Sequence, residues 1–133
     1  LERACREAGI DPDTLDHCYM QFGDEHYRDI PDILIAHIHE GKPQFDSVIC
    51  GNDRIAFMVY QTLLARGIRI PQDIGVIGYD NLVGIGNLFL PPLSTVQLPH
   101  YEIGRLSTLH IINGDESNER VLVDSPWLVR ESF

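Results

Sequence analysis

Hydrophobic and polar positions alternate along this chain in blocks that predict strands followed by helices. Residues 45–50 and 74–79 are short apolar runs of strand length, and a polar turn follows each of them. Asn52 or Asp53 is placed to cap the helix between these strands, and Gly67 is placed to end it. This helix is apolar on nearly every side, through Ile55, Phe57, Val59, Leu63 and Leu64, so we expect it to be covered on more than one face.

The first part of the chain carries weaker signals of the same kind. Residues 1–8 read as an amphipathic helix, residues 17–21 as a short strand, and residues 22–29 as a polar loop. Pro31 then begins a predicted helix that ends before Gly41. One side of this helix is apolar and consists of Ile30, Ile33, Leu34 and Ile38.

The last third of the chain predicts one more helix and two short strands. A helix from Pro99 to Asn113 is expected, with Gly114 after its end and an apolar stripe formed by Ile103, Leu106, Leu109 and Ile112. Residues 121–123 and 127–129 read as strands. Strands that alternate with helices at this spacing require right-handed crossovers, so we predict an α/β fold with a parallel sheet flanked by helices.

Residues 81–92 have no regular period but are unusually apolar for a loop. Loops normally face water, so the large side chains here need a cover, namely Leu82, Val83, Ile85, Leu88, Phe89 and Leu90. Two alternatives remain open on the sequence alone. These side chains either fold back onto their own domain or form part of a subunit interface.

Composition and charge narrow the range of functions. The 133 residues are enough for about one domain, and 10 basic against 20 acidic side chains give a net charge of −10. This charge repels an anionic duplex, so we do not expect the segment itself to bind DNA. The three cysteines Cys5, Cys18 and Cys50 are odd in number and irregularly spaced, which is typical of reduced thiols in a cytoplasm.

The sequence contains no recognisable catalytic or metal-binding motif. A nucleophile elbow, a phosphate-binding glycine loop, catalytic Cys–His spacing and an HExxH helix are all missing. His37 and His39 stand two apart on a predicted helix, where they would face different directions, so a shared metal ion is not expected. Asp53 and Asp80 are carboxylates, but nothing in the sequence places them at a working distance for acid–base catalysis. We therefore expect neither an enzyme nor a cofactor.

Two polar turns are the first candidates for a binding site. Asn52 follows the strand at residues 45–50, and Asp80 follows the strand at residues 74–79. The carboxyl ends of parallel strands meet at one edge of a sheet, where ligands bind. An amide and a carboxylate together can bind the hydroxyl groups of sugars and nucleosides. The alternatives are that Asn52 is only a helix cap and that Asp80 only forms a turn.

Four motifs in this order resemble the effector-binding domain of LacI/GalR-family transcription repressors. They are GND at residues 51–53, IPQDIGVIGYDN at 70–81, PPLSTV at 91–96 and LVRES at 128–132. The resemblance implies a Rossmann-like lobe of the type I periplasmic-binding-protein-like fold. Residues 1–97 and 125–133 would form the C-terminal lobe, and residues 98–124 would cross into a second lobe that lies mostly outside this chain. We accordingly expect the chain to be a piece of a longer polypeptide.

The same resemblance implies a function and a set of site residues. The chain would be the effector-binding and dimerisation part of a cytoplasmic regulator that forms a homodimer and contacts DNA only through an N-terminal domain absent here. A small effector (a sugar, sugar acid or nucleoside) would bind Asn52 and Asp80. Family members often carry an aromatic after the turn that resembles Gly23-Asp24, but Glu25 stands there. Phe22, nearby, would then be the aromatic residue that contacts the effector. The dimer interface would include Leu82, Ile85, Leu88 and Phe89.

A periplasmic sugar-binding protein of a transport system is the alternative, because it shares the fold and the polar turns. The unpaired cysteines and the residues of the IPQDIGVIGYDN and PPLSTV motifs favour a repressor over a transport protein. The sequence contains no run of apolar residues long enough to cross a membrane. No membrane partner is therefore expected.

Overall fold

The computed structural model describes residues 2–16, 24–114 and 116–133. Its N-terminal part is helical, with α1 (Glu2–Glu7), a short 3₁₀ turn, a 3₁₀ helix (Asp24–Asp29) and α2 (Ile30–Ala36). A two-stranded antiparallel hairpin follows, formed by β1 (Ile38–His39) and β2 (Lys42–Pro43).

A four-stranded sheet forms the centre of the molecule. Its strands are β3 (Ser47–Ile49), β4 (Gly75–Asp80), β5 (Ser94–Gln97) and β6 (Trp127–Leu128), in the spatial order β3-β4-β5-β6. The pairs β3–β4 and β4–β5 are parallel, and β6 runs antiparallel to β5. Helix α3 (Asp53–Leu64) connects β3 to β4, and α4 (His100–Ile112) follows β5.

Helix α3 packs its apolar residues against the sheet and against α2. Ala56 and Leu63 are fully buried, as are Ile74, directly before β4, and Val76 within it. Because β4 is central and parallel to both neighbours, it is covered on both faces over most of its length. The predicted α/β fold with a parallel core is therefore confirmed, and Cys50, directly after β3, is buried in this core.

One prediction for the C-terminal strands needs correction. Residues 121–123 form no strand, and Val121 and Leu122 are exposed. Three consecutive β-formers suggest a strand locally, but a strand also needs a paired neighbour, and this segment has none among the described residues. The last strand, β6, pairs antiparallel with β5, which makes the sheet mixed.

The region between residues 24 and 43 also differs from its prediction. Asp24–Asp29 is a 3₁₀ helix where a loop was expected, and α2 ends at Ala36. His37 is the C-cap and His39 belongs to the hairpin, so the two histidines do not share a helix. Glu40 and Gly41 both have positive φ and form the hairpin turn. The helix therefore ends earlier than the apolar spacing predicted, and the chain reverses its direction at this turn. The strand predicted at 17–21 lies outside the described residues.

Helix α4 forms where it was predicted, but none of its residues is buried. The exposed stripe includes Ile103, Leu109 and Ile112. This agrees with the expectation that residues 98–124 belong to a second lobe, although the division itself stays a prediction. None of the helices in the described ranges is both long and apolar enough to cross a membrane.

Candidate functional site

Asn52 lies between the carboxyl end of β3 and the start of α3. Its Oδ1 accepts a hydrogen bond of 2.9 Å from the Ile55 N–H, which confirms that it caps the helix. Its Nδ2 donates to the Tyr27 hydroxyl at 3.4 Å. The side chain is half-buried, so a ligand at this edge of the sheet could still reach the amide.

Asp80 is the last residue of β4, at the same edge of the sheet. Its φ is 113°, a conformation that L-residues rarely adopt, and the next residue, Asn81, has a φ of 49°. Oδ1 of Asp80 lies 2.7 Å from Nε2 of His100, and the Asp80 side chain is 28% exposed. Strained backbone angles are concentrated at binding sites, where the surrounding contacts compensate for the cost of the strain. The conformation of Asp80 therefore favours a role in binding.

A buried carboxylate, Asp53, joins the two polar turns. Its Oδ2 accepts from the Leu82 N–H and its Oδ1 from the Thr95 hydroxyl, both at 2.8 Å, and the residue is 1% exposed. Asp53 stands next to Asn52 in the chain, and Leu82 comes two residues after Asp80. The structure thus brings the two predicted turns together through a residue whose role the sequence did not reveal, because its partners are 29 and 42 residues away.

Arg130 holds the loop that follows Asp80. Its guanidinium donates to the Leu93 carbonyl at 2.6 Å and to Oδ1 of Asn81 at 3.1 Å. Its backbone N–H donates to Oγ of Ser94 at 2.8 Å. The LVRES motif is therefore structural here, since its arginine fixes both ends of the apolar loop.

A cavity with a volume of about 730 Å³ lies between α3 and the apolar loop. Asp53 and Leu82, which join the two polar turns, lie in its wall, whereas Asn52 and Asp80 do not line it. Its walls are mainly apolar and include Phe57, Leu64, Leu82, Ile85, Leu88, Phe89 and Leu90. We call it the apolar groove. Its composition suits a protein surface better than a sugar, which needs polar groups placed to meet its hydroxyls.

The predicted interface residues divide between this groove and the core. Leu88 is 80% exposed, and Leu82 and Ile85 are partly exposed along the groove. Phe89 is only 7% exposed, and its ring packs edge-on against Tyr60 at a centroid distance of 4.8 Å. Phe89 is thus folded onto its own domain, although it also lines the groove. Val83, Leu88 and Leu90 are exposed. A subunit interface through Leu82, Ile85, Leu88 and Phe89 stays a prediction.

Two buried groups near the site have raised pKa values. Burial, with the nearby Asp53 charge, raises the pKa of Cys50 to about 12, so its thiol stays protonated at neutral pH. Burial likewise raises the pKa of Tyr60 to about 12. Within residues 2–16, 24–114 and 116–133, no three His, Cys, Asp or Glu side chains cluster to hold a metal ion. The predicted effector residue Phe22 lies outside the described residues.

Comparison with known proteins gives consistent matches. Residues 2–131 match the family described as "Periplasmic binding proteins and sugar binding domain of LacI family". The sucrose operon repressors of Shigella flexneri and Escherichia coli are 54% identical over 130 residues, covering 98% of this chain and 39% of theirs. The ribose operon repressor of Haemophilus influenzae is 40% identical over 91 residues, covering 65% of this chain and 27% of its own.

Solved structures agree with these matches. A LacI family transcriptional regulator from Enterococcus faecium with bound ribose has a TM-score of 0.78 and 26% identity, covering 98% of this chain and 48% of that one. A regulator from Arthrobacter sp. FB24 in complex with lactose has a TM-score of 0.74 and 26% identity, with coverage of 98% and 47%. The chain spans 39% of the length of the sucrose operon repressors that it matches.

Proposed function

Because this chain belongs to the family of periplasmic binding proteins and LacI-type sugar-binding domains, we propose that it is the effector-binding and dimerisation part of a transcriptional repressor. The observation that carries the proposal is Asp80, a partly exposed carboxylate at a positive φ at the carboxyl end of β4. The identity of 54% with sucrose operon repressors, over almost the whole chain, supports it independently.

The proposed effector is a neutral sugar. The Asp80 carboxylate accepts hydrogen bonds from hydroxyl groups, and the Asn52 amide can donate to or accept from a further hydroxyl. Sugar acids and nucleosides share this chemistry, but the named relatives are repressors of sucrose and ribose operons, and neighbouring structures hold ribose and lactose. Sucrose and its hexose components are therefore the first ligands to test.

In the proposed mechanism the sugar bridges two lobes. Residues 98–124 would belong to the second lobe, so a ligand at Asp80 would contact both. A sugar that binds the closed arrangement more tightly shifts the population toward it, and an N-terminal domain outside this chain would convert that shift into a change of DNA affinity. The net charge of −10 supports DNA contacts made elsewhere than in this segment.

The transport alternative is less well supported. A periplasmic sugar-binding protein would share the fold, but the named relatives are operon repressors. Cys5 and Cys50 are free thiols in the structure, as is common in cytoplasmic proteins. We therefore propose a cytoplasmic regulator without enzymatic activity, like the operon repressors to which the chain is similar.

Substitution of Asp80 by Ala tests the proposed site in the full-length repressor that carries this chain. We expect sugar affinity to fall by about 1.5–3 kcal/mol, because a charge-assisted hydrogen bond to the sugar is lost. Titration calorimetry with sucrose, fructose, glucose and ribose measures the affinity, and operator binding without sugar should stay near the wild-type value. Asp73→Ala, an exposed carboxylate remote from this edge, is the matched control. Unchanged sugar affinity in Asp80→Ala would remove Asp80 from the site.

The proposed dimer forms through the apolar groove and is tested by Leu88→Asp. An aspartate at a side chain that is 80% exposed in the single chain should leave the fold intact. It should weaken dimerisation by about 2 kcal/mol or more, because a charge would be buried between the subunits. Sedimentation equilibrium measures the change. Val83→Asp is the matched control, since Val83 is 92% exposed and does not line the groove. Equal dimerisation of the two variants would place the interface elsewhere.

A further inference from the structure

The proposed sugar site contains one contact that the sequence did not indicate. Nε2 of His100 lies 2.7 Å from Oδ1 of Asp80, and the two residues are 20 positions apart. An ionised carboxylate only accepts hydrogen bonds, so Nε2 must carry the proton and donate. His100 is the first residue of α4, the helix that leaves the sheet. The contact therefore joins the candidate sugar site to the segment that is expected to cross between lobes.

Two contacts from the start of this segment, at Leu98 and His100, hold Asp80. Its backbone carbonyl accepts from the Leu98 N–H at 3.2 Å, and its side chain contacts His100. Its φ of 113° is strained for an L-residue, and contacts from the surrounding structure offset the cost of that strain. The side-chain contact also holds the carboxylate in one orientation. The carboxylate also lies beside the amino end of α4, where the helix dipole favours negative charge. The His100 contact is thus one of a set that fixes where Asp80 points.

The second carboxylate oxygen is left for a ligand. None of the described residues donates a hydrogen bond to Oδ2 of Asp80, and the side chain is 28% exposed. The His100 side chain is 66% exposed, so it is not held by packing in the core. A surface histidine bonded to a carboxylate contributes little to stability. The position of His100 is better explained by its effect on the orientation of the Asp80 carboxylate than by a contribution to the stability of the fold.

We infer that His100 is a positioning residue of the sugar site, which holds Oδ1 of Asp80 so that Oδ2 meets one sugar hydroxyl. This inference rests on the proposed function. A carboxylate held in one orientation selects for the hydroxyl that it faces, whereas a free one accepts hydroxyls at several positions. His100 therefore sets discrimination between sugars more than overall affinity.

Two amide substitutions separate this role from a structural one. The amide nitrogen of glutamine lies as many bonds from Cα as Nε2 of histidine, so His100→Gln keeps the donor that Asp80 uses. The amide nitrogen of asparagine takes the place of Nδ1, so His100→Asn loses that donor with a comparable loss of the ring. His39→Asn, at an exposed histidine of the hairpin, is the control for the substitution itself.

The experiment uses the full-length repressor that carries this chain. Calorimetry first finds which of sucrose, fructose, glucose and ribose binds, and then compares that sugar with its singly deoxygenated analogues. Wild type should reject one analogue most strongly, the one that lacks the hydroxyl bound by Asp80, and Asp80→Ala should abolish that rejection. His100→Asn should reduce it by about tenfold. His100→Gln and His39→Asn should keep it.

Each outcome distinguishes the inference from the function on which it rests. If wild type binds none of the sugars, the proposed function fails, and the inference falls with it. If wild type discriminates and His100→Asn discriminates equally well, only the role of His100 is overturned. Equal weakening of every sugar by both amide variants would also overturn it, since that result indicates a structural role. As a second test, the loss in discrimination from His100→Asn should vanish in an Asp80→Ala background.

Discussion

Replacing Gly78 by Ala is expected to lower the free energy of unfolding by about 3 kcal/mol, because overpacking of a dense core forces buried groups apart. A Cβ on Gly78, in the middle of β4, would collide with Oδ1 of Asp53 and lie 2.8 Å from a Leu93 methyl group and 3.1 Å from Oγ1 of Thr95. All three side chains are fully buried and cannot move aside. Urea unfolding of the 133-residue chain, followed by circular dichroism, measures the loss.

The chain offers a matched control for this substitution. Gly104 lies within α4, and a Cβ there would meet nothing within 4 Å. Gly104→Ala should therefore stabilise the helix by about 0.5–1 kcal/mol, since alanine has the higher helix propensity. An unfolding midpoint of Gly78→Ala equal to that of wild type, with unchanged slope, would show that β4 can accommodate the extra methyl group.

Replacing Asp53 by Ala should cost about 3 kcal/mol of stability. The carboxylate is buried and is the acceptor for the Leu82 N–H and the Thr95 hydroxyl, so its removal leaves a buried donor without a partner. It also removes a negative charge from the first turn of α3, where the helix dipole favours it. The same unfolding assay applies.

Asp53→Asn separates the hydrogen bonds from the charge. The asparagine oxygen can still accept from Leu82, and the Thr95 hydroxyl can rotate to accept from the amide. We therefore expect a clearly smaller loss than for Asp53→Ala, and almost none for the exposed Asp124→Ala. Comparable losses for Asn and Ala would mean that the charge, and not the pair of hydrogen bonds, stabilises the junction. In the double variant, Asp53→Ala should reduce the penalty of Gly78→Ala, because one colliding oxygen is gone.

The candidate site was predictable in part. Asn52 and Asp80 follow apolar strands, and parallel strands place their carboxyl ends at one edge, so their neighbourhood could be predicted from local patterns. Asp53, Arg130 and His100 were not predicted as parts of this region. Each acts on residues 20 or more positions away, and no spacing along the chain indicates such a partner.

In the apolar loop, the sequence likewise did not predict which side chains are buried and which are exposed. Its composition indicated that large side chains needed a cover. Phe89 finds one within its own chain, whereas Val83, Leu88 and Leu90 are exposed. Which side chain turns inward depends on the space available beside Tyr60, where Phe89 fits and Leu88 does not enter. The exposed stripe of α4 was likewise readable as an apolar face, but its cover lies outside this chain in our proposal.

By itself the sequence determined the alternation of strands and helices, the Asn52 cap, the limits of α4 and the charge that argues against DNA contact in this segment. These features depend on residues within a few positions of each other or on composition, so local rules suffice. The tertiary structure alone decided the hairpin at Ile38–His39 and Lys42–Pro43, the antiparallel direction of β6 and the network around Asp53. Those features depend on contacts between segments that are far apart in the sequence. Such contacts form only when the whole core packs, so local rules do not predict them.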